Sequence, residues 1–284
     1  MPPVSTDDYV RLALSIPELS GATLLSVFFL TLARLLPVIV IAPFLGSKNI
    51  PMPVRMMFAV SLVVLFLPQN LLTVKTQIPF STLFIGLLFK ELIIGFLLGF
   101  FAAAPFYIAQ MAGSLIDHSR GSSSLQVNDP TTQSTTGPIG ILYNYLLIAV
   151  FYSLGGPFLF FDAIADAYQL MPVDRLVNPA FFNDTLPFWK EAYGYGSYAM
   201  RFSVQLAAPA LIGILLTDMF LGIANRLAPQ VQIVFLGVSL KSWVGIALLT
   251  AAWGLTIQVM GKEAITYFKH IYALIRQTAP FFAR

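Results

Sequence analysis

The chain has 284 residues, of which 57% are hydrophobic and only 10% charged, and its mean hydropathy is +0.80, whereas soluble domains carry about 25% charged residues. A net charge of +3 with no block of like charges gives no sign of a nucleic-acid surface. The absence of cysteine excludes disulfides and thiolate chemistry, and His118 and His270 stand too far apart in sequence to suggest a histidine metal centre.

These numbers describe an integral membrane protein, expected to be all-α and to form a single domain over residues 1–284. Residues 1–20 hold Asp7, Asp8, Arg11 and Glu18 and have neither the basic start nor the small-residue cleavage site of a signal peptide. Apolar stretches of the roughly 20 residues needed to span a bilayer follow at 22–44, 54–74, 83–115, 139–162, 200–225 and 231–259. The third, 33 residues long, would reach roughly 50 Å as one helix, so Pro105 is expected to kink or break it. Polar loops are expected at 117–138 and at 171–199, the latter carrying Asp174, Asp184 and Glu191. The tail 262–284 alternates Ile265, Phe268, Ile271 and Ile275 with Lys262, Lys269 and Arg276. That is the pattern of an amphipathic helix, with its apolar side free to dock on a membrane surface or a partner.

The basic tail belongs in the cytoplasm and the acidic N-terminus outside. Six complete spans would put both ends on one side, so at least one apolar segment is split, re-entrant or not spanning. Nineteen prolines and nineteen glycines fit kinked and broken helical hairpins.

Five charges interrupt the apolar stretches: Arg34, Lys90, Glu91, Asp218 and Lys241. Exposing all five to lipid would cost on the order of 15 kcal/mol, more than a whole protein's usual margin of stability. Arg34 and Lys90 lie near segment ends and are expected to snorkel to the headgroups; the others are expected to face helices, partner subunits or a wet pore. Asp218 stands 11 residues before Pro229 and Lys241 12 after it, so an antiparallel hairpin brings them to the same depth as a candidate buried ion pair. Separate partners on other subunits are the alternative. Gly237 and Gly245 flank Lys241 on its own helix face, and Gly95, Gly99 and Ala103 repeat the small-residue spacing that lets two backbones approach.

The segment from Ser119 through Arg120, Gly121, Ser122, Ser123, Ser124, Leu125, Gln126, Val127, Asn128, Asp129 and Pro130 continues polar to Pro138. Its amide groups cannot face lipid, so it projects into water or lines a cavity. Asp117, His118 and Ser119 are consecutive residues rather than a triad assembled in space, and no phosphate-binding glycine loop occurs, so no enzyme is expected and no cofactor is called for.

Four blocks carry a family resemblance. They are Ala33-Arg-Leu-Leu-Pro37 with Ala42-Pro-Phe-Leu-Gly46, then Lys90-Glu-Leu-Ile-Ile-Gly-Phe-Leu-Leu-Gly99, then Pro105-Phe-Tyr-Ile-Ala-Gln-Met-Ala-Gly-Ser114. The most specific is the turn Asn225-Arg226-Leu-Ala-Pro229-Gln230 with its continuation to Ser242. In this order the chain resembles the SctT/FliR subunit of type III secretion export apparatuses, closer to the injectisome branch than to the flagellar one. The resemblance implies a subunit of a helical export-gate assembly in the bacterial inner membrane. Its partners would be SctR/FliP-like and SctS/FliQ-like small subunits and the SctU/FlhB-like switch protein, with secreted proteins as transit substrates. It also implies that the loop after the Gln-x-x-Gly helix plugs the channel mouth, and that the subunit is lifted largely out of the bilayer plane on assembly. The rival reading, a secondary transporter with broken helices and buried charges, calls for an internal repeat, and none is visible.

Overall fold

A computed structural model of the chain describes residues 21–46, 50–74, 76–121, 137–177, 187–227 and 233–278. Among these the regular elements are helices: α1 Gly21–Ile41, α2 Met52–Thr73, α3 Thr82–Ser119, α4 Pro138–Ser153, α5 Gly156–Leu170, α6 Pro187–Leu227, α7 Ile233–Ala251 and α8 Trp253–Thr278, with a short 3-10 turn at Pro43–Leu45. The chain is thus an all-α, multi-pass membrane protein. Prolines open α4 and α6, where a missing N–H costs nothing.

Among the described residues four helices are long and apolar enough to cross a membrane, and the total reaches six if each of two bent pairs counts as one span. The bent pairs fall inside apolar stretches expected to be continuous. The stretch 139–162 turns by 76° between α4 and α5. There Gly155 adopts φ +73° and donates its N–H to the Tyr152 carbonyl at 3.1 Å, a left-handed stop that a residue with a Cβ adopts at a cost. The stretch 231–259 bends by 63° around Ala252. Here the Thr250 and Thr256 hydroxyls donate to the carbonyls of Ile246 and Ala252 at 2.9 and 3.1 Å, back-bonding that bends helices.

Other expectations are revised as well. Helix α3 runs on through Pro105 to Ser119, and α6 takes in residues from Pro187 that the sequence reading assigned to a polar loop. At 38 and 41 residues they measure about 57 and 61 Å, roughly twice a hydrocarbon core of about 30 Å. The amphipathic tail continues α8 without a break, and its apolar side is already used: Phe268 packs edge-on against Phe44 and Phe160, and Ile275 joins Ile94, Ala167 and Met171 in a buried cluster.

The chain divides into two compact units, residues 1–103, 156–193 and 268–284 in one and 104–155 and 194–267 in the other. In the first, α1 and α2 pack along their lengths, and α3 crosses α1 at its glycines. A Cβ on Gly95 would collide with the Arg34 carbonyl, and one on Gly99 would stand 3.0 Å from Val38 Cα. In the second, Phe106 of α3 meets Phe151 of α4 edge-on at 5.4 Å, and Tyr198 of α6 stacks on Phe202 and on Tyr267 of α8.

Candidate functional site

Helix α1 carries a buried polar stripe of Thr23, Ser26, Thr31 and Arg34 on one face. In lipid each of these groups would be stranded, so each is satisfied from a neighbouring element. Ser26 donates to the Ile78 carbonyl at 2.8 Å, Ile78 N–H donates to Thr23 Oγ1 at 3.2 Å, and Asn70 of α2 donates to Thr31 Oγ1 at 2.9 Å.

At the end of the stripe Arg34 meets Glu91 of α3 through a two-pronged pair, Nε to Oε2 and Nη2 to Oε1, the second at 2.9 Å. Two further N–H groups donate to the carbonyls of Ala167 at 3.1 Å and Met171 at 2.7 Å, and the guanidinium lies 4.3 Å from the centre of the Tyr168 ring. Lys90 Nζ stands 2.6 Å from Glu91 and donates to the carbonyls of Pro172 and Arg175 at 2.8 Å each. Two cations share the Glu91 carboxylate, and the Asp174 carboxylate also acts on Lys90, so any positive charge left over lies toward the end of α5. The carbonyls closing α5 and the turn after it supply the negative end of a helix dipole where that excess lies. A planar guanidinium suits this work because it grips a carboxylate on one edge while two further N–H groups reach carbonyls.

Arg34 and Lys90 therefore do not snorkel. They are 0% and 6% exposed, and Glu91 is 0% exposed. The chain supplies its own acceptors, so neither cation has to reach the headgroups.

A second arrangement closes the C-terminal end of α3. Asp117 accepts from Arg120 at 2.6 and 3.2 Å on one oxygen, and from the N–H groups of Ile139 and Gly140 at 2.9 and 3.1 Å on the other. One carboxylate thus caps the first turn of α4 from outside that helix and holds the residue three places on. Gly113 makes room for it, since a Cβ there would lie 2.6 Å from the Gly140 backbone. Gln110 accepts from Asn144 at 3.0 Å one turn further along. Asp117 thus ties Arg120, just past the end of α3, to Ile139 and Gly140 at the start of α4; the segment 122–136 between them lies outside the described residues. Ser119, Arg120 and Gly121 lie at its first end, whereas Ser122 to Pro130 lie outside the described residues.

The third arrangement joins Asp218 of α6 to Lys241 of α7 in an ion pair. It is not buried within this chain: the two side chains are 44% and 23% exposed. Gly237 and Gly245 admit the side chains of Leu221 and Ile214 rather than a second backbone. Asn225 and Arg226 lie exposed in the last turn of α6, and Pro229 and Gln230 fall outside the described residues.

Reading the residues alone missed Asn70, Thr31 and Tyr168, and gave Asp117 no role. The one available signal for Asp117 was a carboxylate ending an apolar helix just before a Gly-Pro helix start.

These features define a class: a helical multi-pass membrane protein whose intramembrane charges are tied between helices and in which one carboxylate joins the end of α3 to the start of α4. The chain belongs to the bacterial export proteins, family 1, whose model matches residues 25–266. It is 32% identical over 160 residues to secretion system apparatus protein SsaT of Salmonella typhimurium, a match covering 56% of this chain and 59% of that protein. It is 34% identical over 161 residues to Yop proteins translocation protein T of Yersinia pestis, covering 56% and 60%. The chain thus spans about three fifths of the length of these two relatives. A longer match reaches the flagellar biosynthetic protein FliR of Bacillus subtilis, 28% identical over 222 residues and covering 78% of this chain and 84% of that protein.

Proposed function

We propose that this chain is a core subunit of a type III secretion export gate in the bacterial inner membrane, where it helps to form the protein-conducting channel and to close it at rest. Membership of the export family and likeness to secretion-apparatus and translocation proteins support the first half. The observation that supports the second is the Asp117 clamp, which draws together Arg120 and Ile139–Gly140 on either side of the polar segment 122–136, so that in this reading the segment leaves and re-enters the helices at one place, as a plug would. Arg34, Lys90 and Glu91 hold the frame; secreted proteins pass through, and the chain itself performs no catalysis. The partners are the SctR/FliP-like and SctS/FliQ-like small membrane subunits and the SctU/FlhB-like switch protein. Copurification from native membranes tests the assignment: the tagged chain is expected to bring down these membrane subunits in fixed ratio, and recovery of the chain alone or as a self-oligomer would overturn it.

A further inference from the structure

The 63° break at Ala252 has neither a proline nor a glycine–serine pair beside it, although kinks so sharp ordinarily sit at one of these or where a side chain enters the backbone ladder. Alanine is the best helix former, and nothing at Ala252 itself prevents α7 and α8 from running on as one helix. The group that enters here comes from another helix. Thr256 donates its one hydroxyl proton to the Ala252 carbonyl at 3.1 Å, and its N–H donates to the same oxygen at 2.9 Å. The Tyr143 hydroxyl of α4 is hydrogen-bonded to the Thr256 side chain as well. With the threonine proton already committed, Tyr143 is the donor and Thr256 Oγ1 the acceptor. Both residues are buried, at 2 and 6% exposure. Helix α4 is a firm base for this bond, since Gly140, one turn before Tyr143, lies against Gly113, and Asp117 caps its first turn. Farther along, Gly261 of α8 fits against Val150 and Leu154 of α4, where a Cβ would stand 3.1 Å from either side chain. All these residues belong to one compact unit, 104–155 with 194–267.

We propose that Tyr143 is a latch that holds the α7–α8 bend: its hydroxyl fixes the Thr256 side chain on the Ala252 carbonyl, and with the latch released the two helices align as one. The bend is then one of two states of the same stretch, and the latch decides in which direction the amphipathic α8 leaves the apolar α7. A hydrogen bond between membrane helices shifts such a balance by roughly 3- to 20-fold. The latch is independent of the segment 122–136 acting as a plug.

The test uses the absence of native cysteine, which lets a pair of spin labels be placed on the full chain through Val238→Cys and Thr266→Cys with no other change. Both positions are exposed, and each lies 14 residues from Ala252. The helix axes at these sites are about 36 Å apart with the observed bend and about 42 Å apart in a straight helix. Pulsed electron–electron spin resonance on the protein taken from native membranes reads that distance. The latched chain is expected to give the shorter distance. Tyr143→Phe, which leaves the Thr256 hydroxyl on Ala252, is expected to add a population at the longer one, raised roughly 3- to 20-fold over the unaltered chain. Thr256→Val is expected to do the same, and Thr256→Ser, which keeps both bonds, to behave as the unaltered chain. The shorter distance alone in both Tyr143→Phe and Thr256→Val would overturn the proposal. So would a longer distance in Thr256→Val but not in Tyr143→Phe, because back-bonding by the threonine would then make the bend without the tyrosine.

Discussion

Charge arithmetic at the Arg34–Glu91–Lys90 cluster makes a ranking that ordinary side-chain size would not. Glu91→Gln keeps the shape but removes the one carboxylate that both cations contact, leaving Asp174 beside Lys90 and the Tyr168 ring beside Arg34, and removing one partner of a buried pair costs about 3–5 kcal/mol. Lys90→Met leaves the two-pronged Arg34–Glu91 pair neutral and gives up two short hydrogen bonds to Pro172 and Arg175, a loss of about 1–3 kcal/mol. Arg34→Met falls between, because Glu91 retains Lys90 while the carbonyls of Ala167 and Met171 lose their donor. The gap of about 2 kcal/mol between the extremes corresponds to roughly 30-fold in the folded-to-unfolded ratio. Unfolding of the detergent-solubilised protein by titration with SDS reads the three variants side by side. Lys90→Met proving as damaging as Glu91→Gln would refute the view that the shared carboxylate holds the cluster.

Three further expectations follow from the geometry. Gly95→Ala is expected to lose about 1–3 kcal/mol to overpacking against the Arg34 backbone, and Gly254→Ala, which meets nothing within 4 Å, is expected to leave thermal unfolding unchanged; equal behaviour of the two would remove the close α1–α3 crossing. Asp117→Ala is expected to cost more than the roughly 0.5–2 kcal/mol of a lost helix cap, since Arg120 is stranded with it, and Asp117→Asn to retain part of the cap. Protease susceptibility near Gly121 in the folded protein gives the readout, and wild-type resistance in Asp117→Ala would remove the clamp. A tag fused after Arg284 is expected to be reached only from the cytoplasmic side, and labelling from the outer side alone would reverse the orientation.

The class of fold was legible because long apolar runs admit few structures in a bilayer. The Asp218–Lys241 contact could be read by counting residues from Pro229, since a hairpin is a local structure. Its exposure could not, because burial depends on what covers the hairpin. Arg34 shows the opposite limit: its carboxylate is 57 positions away and its carbonyl acceptors 133 and 137, and hydropathy states that a charge must be satisfied without saying by whom. The bend between α4 and α5 had a signal in Gly155-Gly156-Pro157, whereas around Ala252 the signal is weaker, Gly254 alone with threonines at 250 and 256 that back-bond on either side of the bend.

The gate itself is tested most directly by shortening the segment 122–136 while keeping Asp117, Arg120 and Gly137, so that the clamp remains, and then measuring passage of small solutes across the membrane of cells holding wild-type amounts of assembled complex. The account predicts a leak that grows with the number of residues removed. Wild-type permeability in a fully assembled shortened variant would contradict it.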